Sequence, residues 1–519
     1  MLPEDLRTAY SRAGAWGGET LPQRLASVVA RERDRVAIVD GSAAITFEHL
    51  GGLVERAAAF LEAAGVRPGE TVTWQLPGWW EAAVVHHAIL RLGAVPNPVL
   101  PTIGEAGLRA VLTQVRPRCL IAPATFRGAD LGDRARALAA EHDVPLVLTT
   151  RGGTLDPAFA RPAAPGAPVP SDPSAIALIL MTSGTTGAPK GVLHTHDGLL
   201  CEVDSFPVIH GLTTADRYLG GAPVTHIAGL AYGLLAPAAL GTSTVLLERW
   251  DPRAAIVAIV EAGATFQTGP PTLLQTLAEA RGRADTSGFR LFSTGGARID
   301  AAAVAEAGRA LGCVVKRAYG STEIPTLTAS ALDDDEETRL RTDGRPIGLG
   351  EVRIVGANGE ALTAGDEGEI WGRAPEMLFA YAPEDAAPFA ADGWFRTGDL
   401  GVLDGSGRLR VTGRIKDVII RGGENVSAQA LELLLGEHPL VDAVAVIGVR
   451  DDRLGERVCA CVVTRDARLT LADLTTFLAA RGAAKHTWPE RLELLPSLPR
   501  TESGKVRKDE LRARFATAS

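Results

Sequence analysis

The first third of the chain alternates between two rhythms of apolar positions. Residues 50–64, 80–92 and 131–142 carry the three-and-four spacing of helices with a buried face. Residues 70–76, 120–123 and 144–148 are short apolar runs that predict strands. Strands alternating with helices in this way predict parallel sheets covered by helices. A Pro/Ala-rich stretch, 156–173, predicts an extended surface connection. It leads into the apolar run Ala175-Ile-Ala-Leu-Ile-Leu-Met181, which predicts a buried strand. From about residue 352 the pattern shortens to strands and turns at 352–355, 368–372, 401–403 and 408–412, a small β-rich subdomain. From residue 416 a compact α+β pattern follows, with helices at 428–437 and 471–480 and strands at 443–449 and 458–463. There is no internal repeat. The expected fold is α/β: a large N-terminal domain, 1–415, of helix-covered mostly parallel sheets plus a small β-rich subdomain, then a small α+β C-terminal domain, 416–519.

Composition narrows the function classes. The 519 residues are 46% hydrophobic, enough for a large core and more than one domain. The net charge of −9, with no basic patch interleaved with aromatics, argues against nucleic acid as the main partner. No apolar run approaches the roughly 18 residues of a membrane span, and no signal peptide is read at Met1-Leu-Pro-Glu-Asp5. The five cysteines are few and scattered; Cys459 and Cys461 would share one face of a strand and read as core. Reduced thiols in a cytoplasmic protein are the expectation. The acidic run Asp333-Asp-Asp-Glu-Glu337 reads as a solvated loop.

The predicted strand ending at Met181 delivers Thr182-Ser-Gly-Thr-Thr-Gly-Ala-Pro-Lys190-Gly191. Glycines allow backbone N–H groups to close on an anion, hydroxyls add donors, and Lys190 adds positive charge, so this loop suits phosphates. The alternative is a Gly/Thr-rich hairpin with a solvated lysine. The loop lacks the Gly-x-x-x-x-Gly-Lys-Ser/Thr spacing of a P-loop, so a different nucleotide-using fold is implied. Tyr319-Gly-Ser-Thr-Glu323 follows a strand-like segment; Glu323 can hold Mg²⁺ beside a phosphate, Thr322 can donate to one, and Tyr319 can lie against a base. Asp399, placed by the pattern at a strand–turn junction, could accept both hydroxyls of a ribose, with Arg414 reaching the same sugar. Gly422-Gly-Glu-Asn425 suits a loop needing positive φ or a close ligand. Lys505 sits on a Gly/Ser-bearing loop near the C-terminus.

Taken together and in order, these motifs resemble the adenylate-forming superfamily of acyl-CoA synthetases, peptide-synthetase adenylation domains and luciferases, in the branch of AMP-dependent acid–CoA ligases. The likeness runs from Ile45-Thr-Phe-Glu-His-Leu50 to Lys508 and includes Gly344-Arg-Pro346 and the segment from Gly368 to Met377. The resemblance implies that Thr182, Ser183, Gly184, Thr185, Thr186, Gly187 and Lys190 close on the β- and γ-phosphates of ATP. It implies that Thr322 contacts the α-phosphate, Glu323 holds Mg²⁺, and Tyr319 and Gly320 belong to the nucleotide site. Asp399 and Arg414 would hold ribose, and Gly295, Gly296 and Ala297 would border adenine and the acyl pocket. Lys416 matches a hinge about which a mobile C-terminal domain rotates, and Lys505 a lysine bridging carboxylate and α-phosphate. Gly422 and Gly423 match a loop lining the tunnel for the pantetheine of CoA or of a carrier protein.

His226, in Ala222-Pro-Val-Thr-His-Ile-Ala-Gly229, matches a gating position of the acyl pocket; the alternative is a structural histidine. Relatives that activate α-amino acids carry an Asp here, and no acid lies between Gly220 and Gly233. Val224, Ile227, Gly229, Leu230 and Thr294 suggest a mainly apolar pocket of modest size, and the resemblance of Asn97-Pro-Val-Leu-Pro101 and Pro223-Val-Thr-His226 to ligases of cyclic and aryl acids implies an aryl, cyclic or medium-size carboxylic acid. Two departures stand out. The family's Pro and first Glu are missing from Ser427-Ala-Gln-Ala-Leu-Glu432, and Arg298 replaces an uncharged residue. The leading expectation is ATP-dependent formation of acyl-AMP, then transfer to CoA. Alternatives are loading of an acyl carrier protein, or adenylation of nitrite to diazotise an aryl amine. A silent adenylate-binding regulator is disfavoured by retention of the motif residues. A monomer or homodimer is expected.

Overall fold

The computed structural model describes residues 1–516 except 161–168, 184–188, 296–299, 383–387, 391, 423, 452, 467 and 501–505. Its centre is a nine-stranded sheet, ordered Arg345–Pro346, Thr328–Ala329, Val314–Tyr319, Leu291–Thr294, Phe266–Gly269, Arg217–Leu219, Ser243–Leu246, Val36–Asp40 and Ala43–Thr46. Neighbours from Val314–Tyr319 to Val36–Asp40 run parallel; the outer pairs are antiparallel. A second sheet, Val95–Pro98, Thr71–Trp74, Cys119–Pro123 and Leu146–Thr150, is parallel throughout.

Helix periodicity dictates the layers. Helix Phe47–Ala63 buries Leu50, Leu53, Val54, Ala57, Ala58 and Leu61 on one face and is capped by Thr46, whose side chain accepts the His49 N–H. Helix Trp80–Arg91 is buried nearly all round, as its almost unbroken run of small and apolar residues requires. These helices and His196–His210 share one core with residues of both parallel sheets, including Trp74, Tyr218 and Phe266. Helices Pro252–Val260, Pro271–Ala280 and Ala301–Leu311 cover the other face of the large sheet through Phe289, Phe292 and Val304.

Two antiparallel sheets follow. One joins Ala380–Ala382, Pro189–Thr195 and Ile176–Ser183; the other is Glu351–Val355, Glu367–Arg373, Phe395–Leu403 and Leu409–Arg414. Beyond residue 415, five strands and the helices Ala428–Gly436, Leu471–Ala480 and Lys508–Phe515 form an α+β unit. The expected fold class is observed. Cys459 and Cys461 are both buried and pack in one cluster with Leu495, Leu511 and Phe515. All five cysteines are free, and no helix among the described residues is long and apolar enough to cross a membrane.

Three local expectations are corrected. The stretch expected to be extended from residue 156 opens with helix Asp156–Ala160, because Asp156 accepts the N–H groups of Arg151, Gly152 and Gly153 and Ala158 is buried. The acidic run is half structured: Asp335 caps helix Glu336–Arg341 and Asp334 pairs with Arg408. Asp399 lies inside the nine-residue strand Phe395–Leu403 rather than at its end, since the pairing with Leu409–Arg414 continues through it.

Candidate active site

Parallel strands send successive loops to the same end, and ligands of open α/β sheets bind in the crevice there. At that end Gly295 follows Leu291–Thr294 and Gly320 follows Val314–Tyr319. A Cβ on Gly295 would stand 2.3 Å from the Ala318 carbonyl oxygen, and one on Gly320 would stand 1.9 Å from that of Pro325. Only glycine lets residue 295 lie against the neighbouring strand Val314–Tyr319 and residue 320 against its own turn.

After Gly320 the chain turns sharply. Ser321 Oγ accepts the N–H groups of Glu323 and Ile324, and the Ser321 N–H donates to the Ile324 carbonyl. The turn is fastened from outside. Burial pushes the His194 imidazole down to about 4, so it is neutral, and its Nε2–H donates to the Thr322 carbonyl at 2.8 Å. The Leu378 N–H donates to the Glu323 carbonyl at 2.6 Å. Tyr381 donates its hydroxyl to Glu323 Oε1 at 3.0 Å, and Lys190 Nζ lies 5.3 Å from the centre of the same ring. The cause is strand pairing: Gly191, Val192 and Leu193 stand opposite Ala382, Tyr381 and Ala380. Thr182 is the register partner of Lys190, and its hydroxyl faces the Lys190 carbonyl at 3.5 Å.

Asp399 and Arg414 are also register partners, on adjacent strands, and their side chains meet at 2.9 Å. Tyr319 donates its hydroxyl to the other Asp399 oxygen at 2.8 Å. Burial first, and the Asp399 charge second, push that phenol well above its ordinary range, so it remains a donor. A carboxylate has about four acceptor sites, so Asp399 keeps capacity for a pair of hydroxyls. Sequence reasoning offered Tyr319 to a base; its hydroxyl here orients Asp399.

Glu323 is the sole carboxylate on this turn, and no group of three or more His, Cys, Asp or Glu suited to a metal occurs among the described residues. That donor set fits Mg²⁺, which takes one or two carboxylates and completes its shell from phosphates and water. His226 stands half-buried at the start of helix Ile227–Leu230, where the chain folds back so tightly that a Cβ on Gly229 would lie 2.1 Å from the Pro223 carbonyl oxygen. A π-helical turn, Ala231–Leu235, follows.

Lys416 is exposed on the 3₁₀ turn Ile415–Asp417, where Arg512 bonds the Asp417 carboxylate at 2.7 Å and reaches the Lys416 carbonyl at 3.4 Å. Gly422 adopts φ +59°, and its N–H bonds the Leu454 carbonyl. Gly184, Thr185, Thr186, Gly187, Gly296, Ala297, Arg298, Gly423 and Lys505 lie outside the described residues, as does the side chain of Ser183. The structure thus brings together Thr182, Lys190, Thr322 and Glu323, and joins Tyr319, Asp399 and Arg414. Tyr381 and His194 were missed. The available signal for Tyr381 was its position four residues beyond the Gly368–Met377 segment; for His194, its place in the strand leaving the glycine-rich loop.

Comparison with known proteins supplies the family. The family described as AMP-binding enzyme matches residues 25–382, and the AMP-binding enzyme C-terminal domain matches residues 430–505. The chain is 32% identical to the medium-chain fatty-acid–CoA ligase of Escherichia coli (strain K12), over 98% of this chain and 93% of that protein. It is 34% identical to the salicyl-AMP ligase / salicyl-S-ArCP synthetase of Mycobacterium tuberculosis (strain ATCC 25618 / H37Rv), with the same shares covered. Among solved structures, ATP-bound MatB from Rhodopseudomonas palustris matches with a TM-score of 0.88 and 29% identity, over 96% of this chain and 99% of that one.

Proposed function

The chain belongs to the AMP-binding enzyme family as an AMP-forming acid–thiol ligase, and we propose that it activates an aryl, cyclic or medium-size carboxylic acid and passes the acyl group to CoA. The observation that carries this reading is the convergence at one sheet end of Lys190 and Glu323 on Tyr381, beside the Tyr319–Asp399–Arg414 cluster. In this reading ATP lies across that end. Asp399 and Arg414 take the ribose, Gly295 and Gly320 allow the close approach of base and sugar, and Thr182 to Lys190 with Thr322 take the phosphates. Glu323 would hold Mg²⁺, which when bound draws charge off the phosphates.

The acid's carboxylate displaces pyrophosphate from the α-phosphate, giving acyl-AMP, and a thiolate then displaces AMP from the acyl carbon. A carboxylate approaches phosphate against like charge, and Lys505 and Lys190 are the cations assigned to offset it. His226 gates the acid's entry, and rotation about Lys416 exchanges Lys505 for the Gly422-Gly423 loop.

A second acceptor, the pantetheine of a carrier protein, is favoured by one observation. Helix Ala428–Gly436 begins without the proline and first glutamate usual there, and starts from the Ser427 cap. The similarity to a salicyl-S-ArCP synthetase supports the same acceptor. Mass spectrometry of the protein with MgATP and an acid panel, with and without CoA, tests the proposal. An acyl-CoA formed only with CoA is the expected result. Acyl-AMP without thioester would move the acceptor to a carrier protein, and absence of both would overturn the reading.

A further inference from the structure

Helix His196–His210 and the turns facing it hold a buried row of polar side chains that adenylation chemistry does not use. Glu202, Phe206 and His210 recur every four residues along helix His196–His210 and so share one face. Opposite them stand Tyr232, in the π-helical turn six residues after His226, and Thr326, three residues after Glu323. Thr326 donates its hydroxyl to Glu202 Oε1 at 2.7 Å, and the Tyr232 hydroxyl and His210 Nε2 are 2.7 Å apart. Tyr232 stacks on Phe206, with centroids 4.1 Å apart and planes 10° from parallel, and Tyr218 lies 5.8 Å away with planes 27° apart.

Two acceptors here are left over. Glu202 is 2% exposed and Glu376 3% exposed, and Glu202 Oε2 and Glu376 Oε1 are both buried with no hydrogen-bond partner among the described residues. Leaving such oxygens unpaired is costly, and a native protein keeps few of them. Burial pushes Glu202 up to about 7, and burial with the Glu202 charge pushes Glu376 well up, so the two carboxyls sense each other.

We propose that this row is the far wall of the acyl pocket and selects a carboxylic acid bearing a primary amine at the end remote from its carboxylate, an amino-aryl acid. The inference rests on the acid-activating reading above. A primary amine brings two N–H donors and a lone pair to the orphan Glu202 Oε2, where a phenol brings one donor. The absence of any acid between Gly220 and Gly233 keeps the amine away from the α position.

The test is ATP–pyrophosphate exchange on benzoates and naphthoates carrying either an amino or a methyl group at positions remote from the carboxylate. Methyl matches amino in size but donates nothing. The preferred amino acid should exceed its methyl isostere about 100-fold or more in kcat/KM, because a site built for a donor rejects analogues lacking one. Glu202→Gln and Glu202→Met should bring that ratio near unity. Equal turnover of amino and methyl acids by the unaltered protein would overturn the inference, whether or not the variants fold. So would a folded Glu202→Met that keeps the full ratio. No exchange with any acid would overturn the acid-activating reading itself, and this inference with it.

Discussion

Gly320 and Gly295 sit where a methyl group would overlap a backbone carbonyl at 1.9 and 2.3 Å, whereas Lys416, at the expected pivot, is exposed on a three-residue turn. The sheet-end cradle is set by backbone contact over a core that includes Tyr319, Ile324 and Leu327. The turn beyond it is tied by a charged side chain, Arg512 to Asp417 at 2.7 Å, the two 32% and 18% exposed. Close-packed backbone holds groups where charge must be met without reorganisation. Ion pairs on partly exposed arms give way at little cost. The contrast matches a division of labour in which one part stays fixed and the other is free to change place.

The sharpest break in that comparison is Lys505→Ala. If the second region brings its lysine to the first, adenylation should fall about 10²- to 10³-fold, as for loss of one preorganised charge contact. ATP binding, held by the sheet end, should stay within a factor of about two. Pyrophosphate release and equilibrium ATP binding, measured on one preparation, check both halves. Unchanged pyrophosphate release would refute the assignment.

How far the sequence carried differs between the regions for the same reason. Elements that follow from local pattern were legible: helix Leu471–Ala480 stands where residues 471–480 predicted it, and strand Ala443–Asp451 covers the predicted 443–449. So was the grouping of short motifs, since Thr322 and Glu323 share a turn and Asp399 meets Arg414. Tyr381 was not legible, because it reaches Glu323 only through antiparallel pairing of Ala380–Ala382 with Pro189–Thr195, strands far apart in the chain. Glu202 was hidden likewise: in sequence it is one polar residue on a helix, and Thr326 from the far side of the large sheet reveals it as a buried acceptor. Asp399 was misplaced at a strand–turn junction because the pattern began its next strand only at residue 401, while one strand, Phe395–Leu403, runs through both with an irregularity between Leu400 and Gly401.

Next in size is Gly320→Ala, which probes the fixed region alone. The new methyl meets backbone, so a loop must move, at the upper end of overpacking costs, about 3 kcal/mol. Urea unfolding should show that loss, and adenylation should weaken because Thr322 and Glu323 follow directly. An equivalent Gly405→Ala, with nothing within 4 Å of its Cβ, is the control and should be silent.

A pH experiment probes the buried Glu202 beside the fixed region. Glu202 is raised from 4.5 to about 7 by burial. Above pH 4.5 the unfolded chain loses this proton while the folded chain keeps it. Stability therefore falls as pH rises toward 7, by on the order of 2–3 kcal/mol from this group. Glu202→Gln should flatten that slope in chemical-denaturation curves measured from pH 5 to 8. A slope unchanged in the variant would remove Glu202 as its source.

The smallest effect belongs to the tie at the pivot. Burial acts to raise the Asp417 carboxyl, but Lys508 and Arg512 outweigh it and hold it below the ordinary aspartate range. A depressed carboxylate stabilises the fold above its unfolded value and loses that contribution as pH falls through the folded one. Arg512→Ala should therefore cost about 0.5–1 kcal/mol at pH 7, given partners that remain 32% and 18% exposed, and the loss should shrink in acid as Asp417 protonates in both proteins. Because Asp417 and Arg512 both lie beyond residue 415, the KM for ATP in adenylation should be unaffected. A changed ATP KM in Arg512→Ala would mean that the tie reaches into the sheet-end cradle, and that the two regions are not held independently.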